Sequence, residues 1–319
     1  MRTVFFGTPA SAARSLQALL DGGHDVAMVV TQPGRPKGRG QRVTESPVKQ
    51  LAVHAGLPAM QPESVNAEAC RSALSFVGAD LFVVVAFGQI FRQSLLDMPP
   101  KGCVNVHFSL LPRYRGAAPV QHALLSGDAE TGVTTMYMDV GLDTGDMIFR
   151  EACAIHPDDT TETLMDRLAA QSARLLLRTV NAIEDGTAPR TPQPETGVVP
   201  APSIRREQGH VDWSSPARTL CCLTRALSAS PGCVCWFRGT RIRVFGVRPL
   251  EDTIAADAPP GQIVAVAREG FRVACGQGEV LVTELQPEGK ARMDAWAFAN
   301  GYRVRPGDRF DPGDAGPEG

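Results

Sequence analysis

The chain has 319 residues, more than one average domain holds, so two domains are expected. With 43% apolar and 21% charged residues it has the composition of a soluble globular protein. No apolar run approaches the roughly 20 residues needed to cross a bilayer, which excludes a helical membrane protein, and the apolar part of Met1–Gly7 is too short for a signal peptide.

The expected location is the cytosol. The net charge of −2 hides a segregation. Residues 35–49 hold Arg35, Lys37, Arg39, Arg42 and Lys49 against Glu45 alone. Residues 203–248 hold eight arginines against Glu207 and Asp212. Charge placed this way suits a polyanion held at defined points. The eight cysteines contain no C-x-x-C pair, so reduced, buried thiols are expected, and no metal.

The predicted elements open with a buried strand over Arg2–Phe6, a helix over Ala10–Asp21 with Ala13, Leu16, Leu19 and Leu20 at helical spacing, and a strand over Asp25–Val30. This is a β-α-β start to an open parallel sheet. Residues 31–42 alternate glycine, proline and cations, which predicts an exposed, mobile loop. Helical stretches follow near Pro47–Ala55 and Asn66–Leu74, then strands over Leu81–Ala86 and 102–106, and a helix opened by Ala117-Ala118-Pro119. Gly132–Met138 and Met147–Ala154 read as strands around a Gly-rich loop, and Thr161–Ile183 as a long amphipathic helix.

The prolines at 189, 192, 194, 200 and 202 predict a semi-extended linker over 189–202. After a helix near Pro216–Leu227, five short strand-like runs, Cys233–Phe237, Arg241–Val247, Gly261–Ala267, Phe271–Ala274 and Val280–Glu284, predict a small OB-like β-barrel. Trp213 and Trp236 read as core rather than base-stacking platforms. The predicted organisation is a Rossmann-like α/β open parallel-sheet domain over 1–188, the linker over 189–202, the barrel domain over 203–311, and a disordered tail over 312–319.

Chemistry concentrates in Cys103-Val104-Asn105-Val106-His107. On a strand, Asn105 and His107 share a face. Asp143 lies in Gly141-Leu142-Asp143-Thr144-Gly145-Asp146, a loop after the following strand. An amide donor, an imidazole and a carboxylate at strand ends suit acyl transfer without metal. Ser109 as a nucleophile is the alternative, but the chain has no Gly-x-Ser-x-Gly elbow around it.

The ordered pattern Asn105-x-His107-x-Ser109-Leu110-Leu111-Pro112, then Gly141–Asp146, resembles the folate-dependent formyltransferases. Flanking stretches are similar to those of the tRNA-acting members: Phe5–Pro9, Gln32–Gly40, Val84–Gly88, Val211-Asp212-Trp213 and Thr283–Lys290. The resemblance implies a formyltransferase domain followed by a tRNA-binding barrel. It also implies transfer of a formyl group from 10-formyltetrahydrofolate to the α-amine of methionine on initiator tRNA by Asn105, His107 and Asp143.

By the same resemblance the folate pocket is lined by Ser109, Leu110, Leu111 and Pro112 and by Phe87, Gly88, Gln89 and Ile90. Arg35, Lys37, Arg39 and Arg42 become RNA contacts, although such a run taken alone reads first as a solvated charged loop. Arg205, Arg206, Arg241 and Arg243 are the phosphate candidates of the second domain, while Arg218 and Arg225 fit the wet face of a helix. A monomer is expected.

The chain departs from the family pattern at Ala10-Ser11, Phe91-Arg92 and Ser228-Ala229-Ser230-Pro231-Gly232. A formyltransferase acting on an amino sugar nucleotide is the main rival, and the Arg-rich loop speaks against it. A purine-pathway formyltransferase, a formyl-folate hydrolase domain and an inactive RNA-binding module are weaker alternatives.

Overall fold

The computed structural model describes residues 1–37, 42–250 and 258–311. Arg39 and the tail 312–319 lie outside the described residues, and for Arg35, Lys37 and Arg42 only the backbone is described. The chain forms two compact units, one of residues 1–119, 130–154 and 165–202, the other of residues 120–129, 155–164 and 203–319.

The first unit is built on β1 (Arg2–Gly7), α1 (Ala10–Asp21), β2 (Asp25–Val30), β3 (Arg35–Lys37), β4 (Arg42–Thr44), α2 (Pro47–His54) and β5 (Ala59–Met60). It continues with α3 (Glu68–Val77), β6 (Leu81–Val85), α4 (Gln93–Leu96), β7 (Cys103–His107) and β8 (Arg113–Arg115), and the chain then forms α5 (Pro119–Leu125), which belongs to the second unit from Val120 on. Then come β9 (Glu130–Tyr137), β10 (Met147–Ala154), α6 (Thr161–Glu184, in this unit from Met165 on) and β11 (Val199–Pro200). The main sheet runs β10-β9-β7-β6-β1-β2-β5. Its five strands from β5 to β7 are parallel, as the Rossmann-like expectation requires, while β9 and β10 are antiparallel. The chain steps from β1 outward to β2, then returns to the other side with β6. Open sheets bind ligands outside the carboxyl ends of strands at such a reversal.

Continuous apolar runs account for the central strands: β6 is buried at every position. Phe6 sits within 5.0–5.6 Å, centroid to centroid, of Phe82, Phe87 and Phe91 in one aromatic cluster. The α6 hydroxyls of Ser172 and Thr179 meet Ser15 on α1 and Thr135 on β9 at 3.4 and 2.8 Å, fixing that helix against its neighbours.

Two local expectations change. Residues 35–37 and 42–44 pair as an antiparallel hairpin, so the stretch expected as an irregular loop has ladder bonds at its base. Residues 189–202 belong to the first unit: Thr191 bridges Met147, and β11 pairs with β8. Prolines allowed this because only a few backbone donors are used there.

The second unit contains a 3-10 turn at Arg206–Gly209, α7 (Ala217–Leu227), β12 (Cys233–Phe237), β13 (Thr240–Leu250), β14 (Ile263–Ala267) and β15 (Gly270–Ala274). β16 (Glu279–Pro287), β17 (Met293–Asp294), α8 (Ala295–Tyr302) and β18 (Phe310–Asp311) follow. The antiparallel order is β14-β15-β16-β13-β12-β18, with β17 on β16. Backbone bonds from Ile263 N to Asp308 O (2.7 Å) and Phe310 N to Gly261 O (2.9 Å) join the two edges, so the sheet curls into an OB-like barrel. A register shift at Gly246 bends β13 within that curl. The core is aromatic: Phe237, Phe271, Phe298 and Phe310 are buried together, and Trp213 stacks on Phe310 at 5.4 Å. Two strands and α8 exceed the five-strand expectation; β17 and β18 have two residues each, too few to show a period.

Candidate active site

β7 carries Asn105 and His107 on one face, with Cys103, while buried Val104 and Val106 take the other, as strand alternation requires. β7 lies between β6 and β9, which keeps the pair rigid. Asp143 reaches them from the loop joining β9 to β10. Its Oδ2 is 3.6 Å from His107 Nδ1, and its Oδ1 accepts from Asn105 Nδ2 at 3.3 Å. The Gly116 N–H also donates to Oδ2 at 2.9 Å. The side chains of His107 and Asp143 are 6% and 11% exposed, so the contact is shielded from bulk water.

The other ring nitrogen of His107 is also engaged: Nε2 lies 2.8 Å from the Tyr114 carbonyl oxygen. A carbonyl only accepts, so Nε2 carries a hydrogen. Nδ1 then faces the Asp143 carboxylate.

The Asp143 loop is shaped from within. Asp143 has φ 55°, in the left-handed region that aspartate tolerates better than most residues. Asp139 Oδ1 accepts from Gly141 N at 3.0 Å and from Thr144 Oγ1 at 2.5 Å. A Cβ on Gly145 would collide with the Tyr137 carbonyl oxygen, so only glycine closes the loop onto β9. Gly116 has φ 132° and a Cβ there would strike the Ala201 carbonyl, which leaves its N–H free to reach Asp143.

The expected folate positions divide. Ser109 is fully buried; its hydroxyl donates to the Arg113 carbonyl at 2.6 Å, and its own carbonyl accepts from Thr134 Oγ1. That use of the hydroxyl supports a turn, not a nucleophile. Leu111, Pro112 and Phe87 are buried, Leu110 is half-buried, and Gly88 and Ile90 are exposed. The Phe87 ring is committed to the aromatic cluster, while its carbonyl accepts from Gln32 Nε2 at 3.1 Å.

The candidate phosphate contacts also divide. Arg205 and Arg206 are exposed. Arg241 and Arg243 are half-buried and alternate with buried Ile242 and Val244 on β13. Arg243 Nη2 donates to the Ser228 carbonyl at 3.2 Å, and its guanidinium packs on Gly232, so it holds the turn where the chain departs from the family pattern. Three contributors have no signature of their own in the sequence: the Tyr114 carbonyl, the Gly116 N–H, and Gln193, which lies in the segment read as a linker. Backbone groups carry no residue identity.

An open α/β sheet with an amide, an imidazole and a carboxylate gathered on β7, together with a small antiparallel barrel, defines a two-domain acyl-transfer class. Comparison with known proteins narrows it. The formyl transferase family matches residues 1–180 and its C-terminal domain matches residues 203–303. The chain belongs to the formyl transferase family.

It is 44% identical over 307 residues to the methionyl-tRNA formyltransferase of Geotalea uraniireducens, covering 96% of this chain and 97% of the relative. It is 46% identical over 316 residues to the methionyl-tRNA formyltransferase of Symbiobacterium thermophilum, covering 99% and 97%. Among solved structures, the N-formyltransferase of Helicobacter canadensis in complex with folinic acid and dTDP-3-aminofucose shares the fold. Its TM-score is 0.65 at 16% identity, over 90% of this chain and 99% of that one.

Proposed function

We propose that this protein transfers the formyl group of 10-formyltetrahydrofolate to the free amine of methionine on initiator tRNA, as a monomer in the cytoplasm. One observation carries the reading: near-full-length identity of 44–46% to methionyl-tRNA formyltransferases, in a chain where Asn105, His107 and Asp143 meet.

The carboxyl ends of β1 and β6, where the strand order reverses, are where an open sheet takes its ligand, here a folded heterocycle with an apolar body. Exposed Gly88 offers backbone polar groups there, and Ile90 and Leu110 leave apolar surface open. When bound, 10-formyltetrahydrofolate supplies the formyl carbon as electrophile.

Attack by an amine puts negative charge on the formyl oxygen, and Asn105 meets it. Its Nδ2 has a second hydrogen beyond the one directed at Asp143. His107, held through Nε2 by Tyr114, presents Nδ1 to Asp143 beside the reacting centre. Asp143 takes the proton lost by the attacking amine and passes it toward the leaving nitrogen through water. Arg35, Lys37, Arg39 and Arg42, with Arg205, Arg206 and Arg241, bind the tRNA backbone, and Arg243 braces the turn beside Arg241 as well as adding charge.

The test is incubation with labelled formyl-folate and charged initiator tRNA, beside uncharged tRNA and an amino sugar nucleotide. Label appearing on the methionyl amine alone is the expected result. Label on the amino sugar with none on the tRNA overturns it.

A further inference from the structure

Residues 190–193 strap the loop that carries Asp143. Thr191 and Met147 exchange two backbone bonds of 2.8 and 3.0 Å. Arg190 lies 3.7 Å over the Tyr137 ring and 4.0 Å from Asp146 Oδ2. Gln193 then uses its whole amide. Its Nε2 donates to the carbonyls of Asp143 and Gly145, both at 2.8 Å. Its Oε1 accepts from Arg115 Nε at 3.0 Å and Nη2 at 2.7 Å.

The guanidinium only donates, so it fixes which end of the amide faces the loop. The two hydrogens therefore point at the two carbonyls and cannot flip away. Asp143 sits in left-handed backbone, a conformation that an L-residue keeps only when its surroundings impose it. Gln193 grips the loop at that residue and at Gly145, two positions on. Arg115 also stands directly before Gly116, whose N–H holds the Asp143 carboxylate. One side-chain amide thus links the backbone of the Asp143 loop to the Arg115 side chain, next in sequence to the Gly116 that holds the carboxylate.

We propose that Gln193 is a positioning residue for formyl transfer: by holding the Asp143 and Gly145 carbonyls it keeps the Asp143 carboxylate against His107 and Asn105. The inference rests on the transferase reading above. Gln193 touches no reacting atom; it acts through Asp143. A misplacement of about 1 Å in such a group costs up to about 100-fold in rate.

The experiment compares the full chain with Q193A, Q193E, D143A and D143A/Q193A, measuring single-turnover rate, kcat, KM for both substrates, and thermal melting. Q193A is expected to lower kcat about 10- to 100-fold with both KM values within about threefold. Q193E keeps the side chain's length and the Arg115 contact but turns a carboxylate oxygen toward two carbonyls, so it is expected to match Q193A and not to rescue it. In the D143A background, adding Q193A is expected to cost less than about threefold, because the group it positions is gone.

Equal losses from Q193A in both backgrounds would overturn the proposal, as would wild-type kcat in Q193A or in Q193E. Should alanine lower the melting temperature, Q193E supplies the same comparison in a chain with its volume kept. Failure of the wild-type chain to formylate charged tRNA sinks the transferase reading instead, a result separate from any ratio between variants.

Discussion

The Asn105–His107–Asp143 site in the first unit and the basic residues of the second unit are built on opposite terms. In the first, two of the three polar groups are tethered more than once: His107 by Tyr114 and Asp143, and Asp143 by Asn105, His107 and Gly116, with its loop held by Asp139 and Gln193. In the second, Arg205 and Arg206 stand exposed, and Arg241 is half-buried. Catalysis at a carbonyl needs groups already aimed before charge develops, so rigidity is worth its entropy there. Holding a polyanion needs charge at roughly the right spacing, and free side chains suffice. Changes in the first place should therefore appear in kcat, and changes in the second in affinity and salt dependence.

The largest effect expected is from His107→Ala. Turnover should fall by about 10³-fold or more, with tRNA affinity kept within a few-fold. A filter-binding titration beside the transfer assay checks both halves. An enzyme that keeps most of its activity removes His107 from the chemistry. Asn105→Ala comes next, with a loss of about 10²–10³ in kcat and KM nearly constant, since it removes one donor at the developing oxyanion. A rise in KM with kcat unchanged would assign Asn105 to ground-state binding and blur the contrast between the two regions.

The shared face of these two residues was legible because strand alternation is a short-range rule: Asn105 and His107 alternate with buried Val104 and Val106. Asp143 came from its loop pattern, and its meeting with β7 is long-range. What could not be read was the support. The Tyr114 carbonyl and Gly116 N–H are backbone groups, and Gln193 sits among prolines that imitate a linker. In the barrel, β17 and β18 escaped for want of length, and α8 was passed over because Ala295–Phe298 is apolar without a clear period.

On the basic side the effects are smaller and have a different signature. Arg241→Ala and Arg39→Ala should each weaken productive tRNA use a few-fold. Each should also flatten the dependence of log KM on log salt by about 0.7–0.9, the share of one phosphate contact, with kcat preserved at saturation. Arg243→Ala should behave differently from Arg241→Ala. Its guanidinium braces the Ser228–Gly232 turn, so a lowered melting temperature should accompany the loss of charge. Identical salt slopes and melting temperatures in Arg241→Ala and Arg243→Ala would mean that tethering does not divide these two arginines.

The smallest effect expected is on thiol chemistry, and it bears on both regions at once. Burial pushes the Cys103 thiol, two residues from Asn105, up to about 12, with Asp97 adding to the rise. Burial does the same for Cys221, Cys233 and Cys275 in the second unit. A raised thiol stays protonated below its new value, so at pH 8 only about one molecule in ten thousand carries a reactive thiolate at these positions. Cys153 and Cys222 are only half-buried. Alkylation at pH 8 should therefore label Cys153 and Cys222 first, leave formyl transfer intact, and reach the others only when the chain opens. Peptide mapping of the alkylated protein against residual activity reads both. Rapid labelling of Cys103 with parallel loss of activity would mean that β7 opens in the native protein, and the rigid half of the contrast would no longer hold.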